Sequence, residues 1–109
     1  MASDMTAAAL PFHTERVALS ATPGNVVRVD LPPWARKFTV NFRKSDNTDD
    51  SGRVASAGTD AAAIGNDCFP CPSGSALSWN IPAGRTTRSV YITGDTASGF
   101  GYVLLEGAI

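Results

Sequence analysis

The run Arg36-Lys37-Phe38-Thr39-Val40-Asn41-Phe42-Arg43-Lys44 repeats with a period of two. Phe38, Val40 and Phe42 fall on one side, and Lys37, Thr39, Asn41 and Arg43 on the other. Successive side chains of an extended chain point to opposite faces, so this pattern belongs to a strand with one face on a core and one in water. On a helix the same residues would scatter around the girth. The last third of the chain reads the same way. Ala76-Leu77-Ser78-Trp79-Asn80-Ile81 alternates, Ser89-Val90-Tyr91-Ile92-Thr93 is β-branched and aromatic, and Phe100-Gly101-Tyr102-Val103-Leu104-Leu105 is apolar on both faces.

Upstream, Val17 and Leu19 share a face from His13 onward, until Thr22-Pro23-Gly24-Asn25 supplies turn chemistry and predicts a hairpin into the next strand. Val27, Val29 and Leu31 then alternate with Arg28 and Asp30, and Pro32-Pro33 ends the ladder by removing two backbone donors. Ser45 to Gly52 is a polar, acidic loop. Arg53 to Cys71 is poor in large apolar groups, leaving room for short edge strands or one brief helical turn at residues 60 to 64. Nothing has the periodicity of a long amphipathic helix. Six or seven short strands with frequent turns predict an all-β fold: a single-domain antiparallel β-sandwich or small jelly-roll-like barrel over residues 13–109. The small, patternless residues 1–12 read as a flexible N-terminal arm, able to reach at most about 40 Å when extended. The expected core is Phe38, Val40, Phe42, Leu77, Trp79, Ile81, Val90, Ile92, Val103 and Leu105.

With 109 residues there is material for one core and not two. Nine basic residues against ten acidic ones give a net charge of -1, which offers no footprint for nucleic acid. No run approaches membrane-spanning length, and Met1 to Leu10 lacks the basic n-region of a secretory signal, so the expectation is synthesis in a reducing cytoplasm with Cys68 and Cys71 as thiols. Charged residues are only 17% of the chain, so part of the surface is expected to be Ser, Thr and Ala or to be covered by partners.

Residues that could carry chemistry are few. Cys68-Phe69-Pro70-Cys71 has the spacing of half a zinc site, but the only other soft ligand is the distant His13, and no helix follows to activate a redox thiol. Asp46-Asn47-Thr48-Asp49-Asp50-Ser51-Gly52 clusters oxygen ligands yet fails the calcium-loop template, with Thr48 in the third place and Ala57 where a glutamate belongs. His13 has no nucleophile elbow to serve, and the Gly94 to Gly101 segment is neither a P-loop nor a dinucleotide fingerprint. The expectation is a non-enzyme with no cofactor, no bound metal and no small-molecule substrate. Trp79, in phase with Leu77 and Ile81, is a core residue first, whereas Tyr91 and Tyr102 are better placed for a surface contact.

Four stretches carry a resemblance: Pro72-Ser73-Gly74-Ser75-Ala76-Leu77, Ile81-Pro82-Ala83-Gly84, Ser89-Val90-Tyr91-Ile92-Thr93-Gly94-Asp95-Thr96-Ala97-Ser98-Gly99, and Leu31-Pro32-Pro33-Trp34-Ala35-Arg36-Lys37-Phe38-Thr39-Val40. Together they resemble small β-rich virion proteins of tailed bacteriophages, among them capsid decoration or cement proteins. Cys68 and Cys71 lie outside that pattern. The resemblance implies a structural protein of the virion, made in the host cytoplasm. Its partner would be the major capsid protein or another virion protein. The doubly apolar run Phe100 to Leu105, of which one face needs cover beyond a single small sandwich, adds the expectation of a homo-oligomer, with a trimer as the favoured form. No catalytic residue carries over. The candidate partner-contacting residues are Leu10, Phe12, Trp34, Tyr91, Phe100, Tyr102 and Leu104. The other reading is a receptor- or glycan-binding β-module of a tail or fibre, contacting its ligand through Trp34, Tyr91 or Tyr102.

Overall fold

A computed structural model describes residues 2–8, 12–56, 58, 62–81 and 88–107. They form nine strands and, among the described residues, no helix: β1 (Ala2–Asp4), β2 (Phe12–Ala18), β3 (Val27–Leu31), β4 (Ala35–Arg43), β5 (Gly52–Ala55), β6 (Phe69–Cys71), β7 (Ala76–Asn80), β8 (Arg88–Gly94) and β9 (Phe100–Gly107). The strands assemble into two sheets, ordered β1-β3-β8-β5-β6 and β2-β9-β4-β7. Their facing apolar sides make one core, so the fold is a β-sandwich.

Eight of the ten expected core residues are buried: Phe38, Val40, Phe42, Ile81, Val90, Ile92, Val103 and Leu105. Leu77 and Trp79 point the same way but are half-buried, because β7 is the last strand of its sheet and is covered from one side only. Trp79 still packs across the ladder on Phe38, ring centroids 4.8 Å apart and tilted by 33°. Phe42 lies against Gly52 of the other sheet so closely that a methyl group on that glycine would stand 2.6 Å from its ring. Only glycine lets the two strands meet there.

The topology departs from the sequence expectation at the Thr22–Asn25 turn. It does not close a hairpin: β2 pairs with β9, and β3 pairs with β8 in the opposite sheet. Turn residues fix a local reversal, but the partner of each strand is decided by which apolar face finds cover. At the turn itself Val26 donates its N–H to the Ala62 carbonyl (2.8 Å) and Ile64 donates to the Gly24 carbonyl (2.8 Å), with a bridge between Asn25 and Ala63. Of the two alternatives for residues 53 to 71, the short edge strand is found, as β6, while Ala63 sits in an isolated bridge rather than a helical turn and residues 60 and 61 lie outside the described residues. The crossover after β3 is clasped by Arg88, whose Nη2 donates to the carbonyls of Pro32, Pro33 and Ala35 at 3.3, 3.2 and 3.0 Å.

The flexible arm of residues 1–12 is a second correction over its described part, residues 2–8 and 12; residues 1 and 9–11 lie outside the described residues. Within residues 2–8, β1 pairs in parallel with β3, an exception to the antiparallel pattern elsewhere, and the Met5 N–H donates to the Asp30 carbonyl at 2.9 Å. Met5 is 2% exposed and belongs to the core. Ser3 Oγ donates to Glu15 Oε2 at 2.6 Å, tying β1 to the other sheet. One buried methionine and an unpaired flank of β3 outweigh the weak strand signal of Ala2-Ser3-Asp4.

Candidate functional site

Strand β9 is central in its sheet, with β2 on one side and β4 on the other. Gly101, Val103 and Leu105 are buried in the core, which turns Phe100, Tyr102 and Leu104 outward, half-exposed. The ladder aligns neighbours on the same outer face: Thr14 and Thr39 flank Leu104, Arg16 and Asn41 flank Tyr102, and Ala18 and Arg43 flank Phe100. At the far end Phe12 and Lys37 flank Glu106, and Phe12 is 59% exposed. The outer face of a half-buried sheet is ordinarily polar. Here it carries an aromatic and aliphatic stripe between basic side chains.

Several contacts hold the stripe in place. The Arg16 guanidinium lies 4.4 Å from the centre of the Phe100 ring, a cation–π contact running diagonally across the ladder. Tyr102 donates its hydroxyl to Asn47 Oδ1 at 3.3 Å, and Arg43 donates to Asp49 Oδ1 at 2.8 Å, so the β4–β5 loop folds back over one end of the face. That loop is itself preorganised. Asp46 accepts from the Thr48 hydroxyl at 2.6 Å and the Thr48 N–H at 3.1 Å, bonds that hold its carboxyl below the usual carboxylate range, and Asn47 takes a left-handed φ of 66°. Between β2 and β9 the same face forms a shallow groove of about 350 Å³ lined by Thr14, Arg16, Tyr102 and Leu104.

Four candidate contact residues, Phe12, Phe100, Tyr102 and Leu104, thus come together on one surface. Trp34 and Tyr91 do not join them. Trp34 packs against the core and donates its indole N–H to the Ala8 carbonyl at 2.7 Å. Tyr91 belongs to the other sheet, in register with Arg28 and Ala55. Leu10 lies outside the described residues. Arg16 was missed by the sequence reading: only the β2–β9 register, which pairs it with Tyr102, reveals its place.

No family model matches this chain, and no curated protein and no solved structure matches it.

His13 Nε2 lies 3.0 Å from Glu15 Oε1, but Ser3 gives its hydroxyl proton to the other oxygen of Glu15. The carboxylate stands between serine and imidazole, whereas a serine nucleophile needs the imidazole itself as its base. Among the described residues no three His, Cys, Asp or Glu side chains gather as a metal-binding group. Between the sheets, on the β7 side, lies a cleft of about 790 Å³ whose described lining includes Val54, Cys68, Phe69, Leu77, Trp79 and Val90. The two cysteines face different surroundings: Cys71 is buried, with its thiol 3.4 Å from the Ser75 carbonyl, and burial pushes that thiol up. Cys68 is half-buried at the cleft. Because the thiolate is the nucleophile, iodoacetamide at pH 8 is expected to alkylate Cys68 in the folded protein and spare Cys71. Peptide mass mapping would show equal labelling of both if this assignment were wrong.

Proposed function

We propose that the protein is a structural accessory of a tailed-bacteriophage particle, a capsid decoration or cement protein, and that it docks on the major capsid protein or another virion protein through the outer face of the β2-β9-β4-β7 sheet. The observation that carries the reading is the stripe Phe100-Tyr102-Leu104 on the central strand, extended by Phe12. Exposed apolar patches rimmed by polar and basic groups are the composition of protein interfaces, in which Tyr, Phe and Arg are enriched. Size supports it as well. The molecule measures 34 × 26 × 21 Å, so its broad face is of the order of the ~800 Å² that each partner contributes to a standard interface. A broad flat face suits attachment to a shell. Self-association, with a trimer as the favoured form, belongs to the same reading. The glycan-binding alternative draws less support, because Trp34, Tyr91 and Tyr102 form no common platform.

The double variant Tyr102→Glu/Leu104→Glu tests this. Both residues are half-exposed, so the fold should persist. Two contact anchors are lost, and co-sedimentation with undecorated phage capsids is expected to weaken by about 30-fold or more. Undiminished attachment of a correctly folded variant would refute the docking face, and binding to a polysaccharide through Trp34 or Tyr91 would promote the fibre module.

A further inference from the structure

Asp50 sits in the β4–β5 connection and is only 4% exposed. Its Oδ1 accepts from the Ser51 N–H at 2.9 Å and from the Thr96 hydroxyl at 3.0 Å. Its Oδ2, equally buried, has no hydrogen-bond partner among the described residues. A buried carboxylate is ordinarily paired with a cation or bound to a metal, because the cost of desolvating the charge must be offset.

The space around Oδ2 is made by two glycines. A methyl group on Gly99 would stand 2.7 Å from the Arg43 carbonyl oxygen, 3.5 Å from Asp50 Oδ2 and 3.7 Å from the Thr96 carbonyl oxygen. A methyl group on Gly94 would stand 3.6 Å from both Asp50 Oδ2 and the Thr96 oxygen. One small region is thus ringed by three oxygens from three segments, each of them an acceptor. A water would give Oδ2 a donor but brings no charge, whereas a cation neutralises the buried carboxylate and takes the free lone pairs of the two carbonyl oxygens as well.

We propose that this cradle is a cation site, with Asp50 Oδ2 and the carbonyl oxygens of Arg43 and Thr96 as ligands, and that it takes a hard cation of calcium size. Calcium accepts irregular mixtures of carboxylate and carbonyl oxygens, whereas magnesium demands a near-ideal octahedron and retains its waters. The bound ion joins the end of β4 and the β4–β5 connection to the β8–β9 connection, pinning one end of the sandwich. The site does not depend on the docking face.

The test is thermal melting of the full chain in EDTA, in 10 mM calcium chloride, and in 10 mM magnesium chloride, with sodium chloride added to equalise ionic strength, together with equilibrium dialysis against calcium. With one carboxylate the affinity should fall in the weak range of about 10⁻⁴–10⁻³ M, so calcium should raise the midpoint by about 5–15 °C over EDTA and dialysis should find one ion per chain. Asp50→Asn should abolish both effects. Gly94→Ala is the second variant: its methyl group would intrude on the cradle, and its one tight contact, 2.9 Å to Leu19 Cδ1, is with the end of a flexible side chain. It should fold and lose calcium binding. Equal midpoints in calcium and EDTA with no ion retained would overturn the proposal in favour of a buried water. So would a calcium response that survives in Gly94→Ala, or one that magnesium reproduces in full.

Discussion

Phe42→Ala is expected to destabilise the protein by about 3–5 kcal/mol, toward the upper end of what loss of a buried phenylalanine costs. Phe42 has no exposed surface, and its position limits repair. Across the sandwich it lies on Gly52, and its direct ladder partner on β9 is Gly101. Neither neighbour has a side chain to lean into the void. Relief would have to come from Ile92, Leu19 or Val40, whose ends already reach toward Gly101. The penalty for a large deletion grows with the cavity that remains, so a site that cannot collapse keeps most of it. Phe42→Leu, which retains much of the volume, should cost far less. Urea unfolding of the two variants beside the parent measures both. A Phe42→Ala loss below about 1 kcal/mol would mean that the two sheets close over the gap.

The strand that presents Phe42 was legible because its alternation is strict, and a half-buried strand demands that pattern. Strand β9 was legible only as a strand. It is apolar on both faces, so periodicity could not say whether Phe100, Tyr102 and Leu104 or Gly101, Val103 and Leu105 turn inward. Packing decides: Gly101 must face Phe42, and the large aromatic set goes to the surface. The candidate site was half legible for the same reason. Residues on one strand could be grouped by phase, but whether Trp34 and Tyr91 share their face depends on which sheet each strand joins, and that is a tertiary property. Short strands such as β5 and β6 carry too few residues to show a period. Asp50 looked like its neighbours Asp46 and Asp49 because turn-forming aspartates read alike whether they end in water or in the interior.

Removing residues 2–8 is the second large effect, and its sign reverses the expectation drawn from composition. A flexible arm could be deleted with little change in stability. Strand β1 instead donates to the sheet, and Met5 fills the core at 2% exposure. Met5→Ala alone should cost about 2–4 kcal/mol, as for other buried methionines. Deletion also removes the parallel pairing of Ala2, Ser3 and Asp4 with Arg28, Val29 and Asp30, the Ser3–Glu15 bond and the Ala8 carbonyl that receives the Trp34 indole. It then leaves β3 as a bare edge. Val27, Val29 and Leu31 would border unpaired backbone groups, which is the arrangement that recruits strands from other molecules. The truncated protein should therefore melt well below the full chain and associate as concentration rises, while Met5→Leu stays near the parent in both respects. Differential scanning calorimetry with light scattering on the free protein reads both properties without reference to capsids. A truncated chain that melts within about 2 °C of the parent and stays equally dispersed would restore the arm to a dispensable extension.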